Sequence, residues 1–274
     1  MKYLISTILI LLSTSFTPRP LTWIAIGDSI TYLNEHPNET DHRISKGYMT
    51  MVTEKLPHIQ YQNQGHNGWT SGGIAEQFDK LGIGKADIYS VFLGTNDWWQ
   101  GRPLGTMSDY SSNSGNGTVC GSFRIIIDKI RALNPNAHII LMAPLQRGDF
   151  VYLHNNHNNA WGSYKPNKNG QSLESFVSAL DSIAQKEKIT FVDLYHKSGI
   201  NLKNMVNFKL LKDPSSHEPR HYKWPAWKDI PWNPETDAYP YPPEVINMTY
   251  DGLHPSDKGY AAITKMLVPV MKRY

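Results

Sequence analysis

Five residues in this chain offer groups suited to one chemistry, acyl transfer: Ser29, Gly68, Asn96, Asp251 and His254. A serine hydroxyl is a weak nucleophile until a neighbouring base takes its proton. His254 can be that base near neutral pH. Asp251, just upstream of it, can hold the imidazole in one tautomer and stabilise the imidazolium. The tetrahedral intermediate carries an oxyanion that needs preorganised donors. The backbone N–H groups of Ser29 and Gly68 and the side-chain amide of Asn96 are suitable ones. Each position also has an ordinary reading. Asp28 or Ser29 would serve equally as the cap of a following helix or turn.

The elements that must position these groups follow from the apolar pattern. Trp23 to Ile26 is a short run rich in β-branched residues and reads as a buried strand. It stops at Gly27, where the backbone can turn sharply. A polar loop from Leu33 to Ser45 leads to a predicted helix around Tyr48 to Leu56 and a second strand over Ile59 to Asn63. The loop Gln64 to Thr70 precedes a helix from Ser71 to about Leu81. A third strand, Asp87 to Leu93, runs into Gly94-Thr95-Asn96-Asp97. Arg102 to Gly117 is rich in Gly, Ser and Asn and reads as a loop. A helix over Phe123 to Leu133, a strand over Ala137 to Met142 and a polar loop to Asn169 follow. Then come a helix over Leu173 to Glu187, a strand over Ile189 to Leu194 and a last helix near Asp257 to Lys272. Short apolar strands separated by helices predict a parallel sheet covered on both faces. Ligands bind such sheets beyond the carboxyl ends of the strands, where Ser29, Gly68 and Asn96 fall. If the second and third strands flank the first, their three loops meet at the topological switch point.

Four stretches carry a resemblance: Gly27-Asp28-Ser29-Ile30, Asn63-x-x-x-x-Gly68, Gly94-Thr95-Asn96-Asp97 and Asp251-x-x-His254-Pro255. In these residues, and in their order from Trp23 to Tyr274, the chain resembles the SGNH hydrolases, also called the GDSL family of lipases and esterases. The resemblance implies an α/β fold: a flavodoxin-like three-layer α/β/α sandwich with a five-stranded parallel sheet. It implies Ser29 as nucleophile, His254 as base and Asp251 as its partner, with an oxyanion hole of Ser29, Gly68 and Asn96. Gly65 is the rival for the glycine, and Gly68 is preferred for its distance from Asn63. Asp97 is implied as a support for the Asn96 loop. The family works without cofactor or metal. Its substrates range from lipids and thioesters to acetylated carbohydrates, so the fold leaves the substrate open.

The remaining signals weigh on substrate and setting. Trp98 and Trp99 follow the Asn96 loop, and either could line the cleft or join the core. Tyr195 to Thr249 is a proline-rich, aromatic-rich stretch, read as an insertion in one domain spanning 16–274. Its Trp224, Trp227 and Trp232 are candidates for stacking on a sugar ring. With the polar loops, they favour a carbohydrate acetylester over a lipid or short aryl ester. A non-catalytic glycan-binding protein would explain the aromatics but not the presence of Ser29, Asn96 and His254 together. His154 with His157, and His217 with His221, have spacings a metal could use, but no Cys or carboxylate pattern supports one. His66 reads as a loop residue. Cys120, the sole cysteine, reads as a small hydrophobe. Arg147 follows the fourth strand, where it could meet an anionic substrate, and reads as a surface residue. The formal charge of +3, with scattered Lys and Arg, argues against nucleic-acid binding.

Met1 to Ser15 has the layout of an export signal, with Lys2, an apolar Leu4–Leu12 and small residues before a cleavage point after Ser15. Beyond it no run approaches the ~18 apolar residues of a spanning helix. The expected product is an exported protein, periplasmic or extracellular, without stable membrane insertion. Mass spectrometry of the protein from its native host is expected to find a mature chain starting near Phe16. An intact Met1 would contradict the signal.

Overall fold

Strands whose two faces are both apolar must be covered on both sides, and this chain covers them with helices. The structure, a computed structural model, describes residues 19–274. The signal expected at Met1–Ser15 lies outside the described residues. In order the elements are β1 (Leu21–Gly27), α1 (Ser29–Tyr32), α2 (Tyr48–Lys55), β2 (Ile59–Gly65), α3 (Ser71–Gln77), β3 (Ile88–Phe92), α4 (Thr95–Trp99), α5 (Met107–Ser111), α6 (Val119–Leu133) and β4 (His138–Met142). They continue with β5 (Phe150–Tyr152), β6 (Asn155–Ala160), α7 (Leu173–Glu187), β7 (Thr190–Val192), α8 (Leu194–Lys197), β8 (Lys209–Lys212), β9 (Pro219–Tyr222) and α9 (Asp257–Met271).

The main sheet has five parallel strands in the order β2-β1-β3-β4-β7. Successive side chains of each strand point to opposite faces. Ile24, Ile26, Tyr89, Val91, Ile139 and Leu141 face a core shared with α3, α6 and α7. Trp23, Ala25, Ile88, Phe92, Ile140 and Met142 face a second core shared with α2 and α9. This is the three-layer α/β/α sandwich, and β1 lies between β2 and β3 as the switch point requires.

Several segments carry more structure than their polarity suggests. The stretch 102–117 holds α5, started by a capping box between Thr106 and Asp109. α6 begins at Val119, ahead of its apolar stripe, because the Thr118 side chain accepts from Gly121 N–H. The polar segment after β4 contains an antiparallel hairpin, β5–β6. The insertion contains a second one, β8–β9. The helix begun at Ser71 ends as α-helix at Gln77 and continues only as a 3₁₀ turn over Phe78–Lys80.

α9 is pinned to the start of the chain. Ser45 donates through its N–H and hydroxyl to the Asp257 carboxylate, at 2.7 and 2.6 Å. The Tyr260 hydroxyl donates to the Ile30 carbonyl at 2.8 Å, one residue beyond Ser29. The end of β2 is equally close to α1: a Cβ on Gly65 would stand 2.1 Å from Tyr32 N and 2.6 Å from Tyr32 Cα. Backbone cannot yield as a side chain can. Gly65→Ala is therefore expected to cost about 2 kcal/mol or more in stability by denaturant unfolding. An unchanged midpoint would contradict the close approach.

Candidate active site

β1 ends where Gly27 passes Thr31 too closely for any side chain, a Cβ there falling 2.0 Å from Thr31 Oγ1. Asp28 caps the short α1 by accepting from Ile30 N–H at 3.0 Å. Ser29, the first residue of α1, is thus carried outward beyond the sheet. His254 arrives from the other end of the chain and places Nε2 2.8 Å from Ser29 Oγ. Its Nδ1 lies 2.6 Å from Asp251 Oδ2. A carboxylate there accepts the hydrogen bond from Nδ1–H, which fixes the tautomer and leaves the Nε2 lone pair directed at the serine.

The turn holding this pair is tightly specified. Asp251 Oδ1 accepts from the N–H groups of Leu253 and His254 at 3.0 and 2.7 Å. Gly252 sits at φ +86°, and a Cβ on it would lie 2.0 Å from the Asp149 carbonyl. Its own carbonyl accepts from Gly148 N–H at 2.8 Å. The Tyr250 ring stacks on the imidazole at 5.7 Å between centroids, and Phe150 meets it edge-on at 5.3 Å. The base is held by packing as well as by its aspartate.

Across the cleft, Gly68 turns with φ +73°, and its carbonyl accepts from Gln100 Nε2 at 3.0 Å. Asn96 Nδ2 donates one hydrogen to the Trp69 carbonyl at 3.0 Å, which aims the amide. Ser29, Gly68, Asn96 and His254 line one cleft of about 380 Å³. Gly65 N–H, the rival donor, is already bonded to Asn63 Oδ1 at 2.9 Å. Asp97 accepts from Ser71 N–H and Oγ at 2.8 and 2.7 Å and faces Arg102 Nε at 3.1 Å, tying the Asn96 turn to α3. Burial pushes the Asp97 carboxyl upward against these bonds.

Of the aromatic candidates, Trp99 lines this cleft. Trp98 does not: it is fully buried in the core, with Nε1 donating to the Gln171 carbonyl at 2.9 Å. Neighbours on a helix point in different directions, so one of the two had to leave the cleft. Trp224 and Trp227 are also away from it. They pack edge-on against each other and against Tyr164, and Trp227 is buried beneath the Lys209 ammonium. Trp232 lines an adjoining hollow of about 520 Å³ with Trp161, reached past Phe150 and Ala160. The insertion's tryptophans therefore do not form a wall at Ser29. Arg147 is a second correction. It is 1% exposed, not a surface residue, and it borders the cleft. Phe150, Tyr152, Asn67, Asn158 and Tyr250 also line the cleft. Tyr250, next to Asp251, and Asn67, next to Gly68, carried a positional signal.

The histidines spaced for a metal go elsewhere. His154 is near Asp41, His157 is near Glu235, and His221 stacks on Phe208. Among the described residues no group of three or more His, Cys, Asp or Glu is placed to hold a metal ion.

Over residues 25–262 the chain matches the family model of the GDSL-like lipase/acylhydrolases. It is similar to a possible lipase from Chitinophaga pinensis, 59% identical with a TM-score of 0.91 over 92% of this chain and 98% of that one. A lipase/acylhydrolase from Enterococcus faecalis shares the fold at 16% identity and a TM-score of 0.52, over 92% of this chain and 96% of that one. An acetyl xylan esterase does so at 16% and 0.52, over 91% and 99%. None of the curated proteins compared with the chain matches it.

Asp28 gives a pH signature. Burial pushes its carboxyl up to about 6, against the Ile30 N–H bond and the nearby His254. The folded state then holds this proton more tightly than the unfolded chain. Asp28 thus weakens the fold above about pH 6, and the penalty fades as pH falls towards 4. Asp28→Asn, which can still accept from Ile30, is expected to be more stable than the wild type at alkaline pH by of order 2 kcal/mol. The difference should vanish below about pH 4. Unfolding free energies across that range check it, and a constant difference would contradict the shift.

Proposed function

The chain belongs to the GDSL-like lipase/acylhydrolase family, and from that premise we propose that it is an exported serine esterase that removes acetyl groups from a carbohydrate. The observation that carries the reading is the hydrogen-bond line Asp251–His254–Ser29 at one side of a cleft, with Gly68 and Asn96 at the other. Ser29 Oγ attacks the ester carbonyl as its proton passes to His254 Nε2. The carbonyl electrons move onto oxygen, and that oxyanion meets the N–H groups of Ser29, Gly68 and Asn96. The intermediate collapses, the alcohol leaves with the proton from His254, and the acyl group stays on Oγ. Water then repeats the sequence, releasing acetate and restoring the serine. Asp251 stays ionised and stabilises the imidazolium in both halves.

Size and lining support a sugar ester. A cleft of about 380 Å³ suits a short acyl group and about one ring. Asn67, Gln100 and Asn158 offer amides to hydroxyls, and Trp99 and Tyr152 offer ring faces. Export rests on the Met1–Ser15 pattern; among the described residues no helix is long and apolar enough to cross a membrane. A lipid or short acyl ester is the competing substrate. Leu33, Phe150 and Leu253 line the same cleft, and the relative at 59% identity is a possible lipase.

Ser29→Ala and His254→Ala are each expected to lower p-nitrophenyl acetate hydrolysis by of order 10⁴-fold or more while remaining folded, because the groups act as a unit. A fluorophosphonate should label Ser29 in the wild type. Full activity in either variant would overturn the assignment. Faster turnover of p-nitrophenyl palmitate than of p-nitrophenyl acetate would overturn the short-acyl reading on which the sugar ester rests.

A further inference from the structure

Arg147 is a buried cation that forms no salt bridge among the described residues. Its guanidinium lies beside two adjacent indoles, with Cζ 5.7 Å from the Trp98 ring and 5.6 Å from the Trp99 ring. Among the described residues no acceptor meets its Nε or Nη2, although both are buried. The carboxylates around it are engaged elsewhere. Asp251 is taken by His254 and by the backbone of its own turn. Asp149 accepts from Lys209, Tyr164 and Gly162 N–H. Asp28 accepts from Ile30 N–H. Burial lowers the guanidinium to about 10, so it stays charged at neutral pH. A buried charge left without hydrogen-bonding partners is strongly unfavourable. The indole faces return part of that cost but accept no hydrogen bond. Arg147 also lines the cleft that holds Ser29 and His254. A cation with unpaired donors kept beside a nucleophile is a site that can take an anion.

We propose that Arg147 reads a carboxylate on the substrate, and that the ester hydrolysed here is an O-acetylated acidic sugar. The proposal rests on the acetylesterase reading above, since an acetyl group brings no second charge and the carboxylate then belongs to the alcohol part. A planar guanidinium pairs with a carboxylate in the way it pairs with few other groups. The charge balance favours a monoanion over a phosphate. Arg147 supplies one positive charge, Glu39 lines the same cleft, and Asp28 and Asp251 lie behind it. A phosphomonoester, at about −1.5 to −2 near pH 7, would leave excess negative charge against those carboxylates. Neutral amides of Asn67, Gln100 and Asn158 are left for the hydroxyls.

Two measurements test this, and the first needs no catalysis. Melting of the Ser29→Ala protein is followed with millimolar glucuronate, glucose or glucose 6-phosphate. Glucuronate should raise Tm, glucose should not, and Arg147→Lys or Arg147→Met in the same background should lose the shift. The second measurement compares wild-type kcat/KM for an acetylated methyl glucuronoside and the matching acetylated methyl glucoside. The acid should be favoured by about tenfold or more, the scale of a hydrogen bond to a charged group, and Arg147→Met should bring the ratio to one or below. Equal Tm responses to glucuronate and glucose, or a wild-type ratio near one, would overturn the proposal. A larger Tm response to glucose 6-phosphate would overturn the carboxylate assignment. Should Arg147→Met not fold, the wild-type ratio and the Ser29→Ala melts still decide. Loss of the parent reading shows separately, as p-nitrophenyl acetate hydrolysis that does not depend on Ser29.

Discussion

The hydrogen bond from Ser29 Oγ to His254 Nε2 joins residues 225 positions apart. Closing a flexible loop of that length costs about 5 kcal/mol, whereas one hydrogen bond returns about 1 kcal/mol. The bond is thus a consequence of the fold and cannot be its cause. What brings the two ends together is the apolar face of α9, buried with α2 and the side chains of β1, β3 and β4 in one core. Finer registration comes from the Tyr260 hydroxyl on the Ile30 carbonyl and from Ser45 on Asp257. These bonds sit next to Ser29 on one side and a few residues past His254 on the other. Small shifts of α9 would therefore be felt at the 2.8 Å contact before they unfolded anything.

The insertion between α8 and the Asp251 turn serves this geometry from behind. Lys209 reaches Asp149 Oδ2 at 2.6 Å, with the Trp227 ring 4.2 Å from its ammonium. The Tyr241 hydroxyl donates to the Asp149 carbonyl, and Gly252 packs on that same carbonyl. Trp227, a candidate for sugar stacking in the sequence, thus helps to hold the segment 147–152 through Lys209. That segment presents Arg147 and Phe150 to the cleft and supports the turn that carries His254.

How much of this was legible in the sequence depends on the kind of constraint. The inner strands β1, β3 and β4 were readable because their residues are almost all apolar, and the strand ends place Ser29, Gly68 and Asn96 without further information. The flanking of β1 by β2 and β3 could be expected only conditionally, since strand order leaves no periodic trace. α5 was hidden because its capping box lies in a polar, glycine-containing stretch where the Gly and Asn content dominates the reading. The tryptophans misled for a simple reason: composition gives ring counts, and burial decides what the rings face. Arg147 was invisible as a buried residue because arginine is mostly a surface residue, and the indoles and carboxylates that favour its charge when buried come from distant parts of the chain. The spacing from Asn63 already favoured Gly68 over Gly65, and the bond of Gly65 N–H to Asn63 Oδ1 adds to that preference.

The cleft joins two walls of different rigidity. One wall is made of strand-end turns fixed by close contacts that admit no side chain, with backbone at Gly65 and Gly252 and with the Thr31 side chain at Gly27. All three border the proposed serine, base and oxyanion donors, where an error of about 1 Å would be most damaging to rate. The other wall is the β5–β6 hairpin. Phe150 and Ala160 anchor it to Leu253 and Trp99, while Asn155, His157, Asn158 and Asn159 stand exposed at its outer end. Such a wall can change its side chains without disturbing the sheet. Chemistry thus resides where the fold is over-determined. In the proposed reading, recognition divides between Asn158 on the hairpin, which is free to vary, and Arg147, which is buried against two indoles.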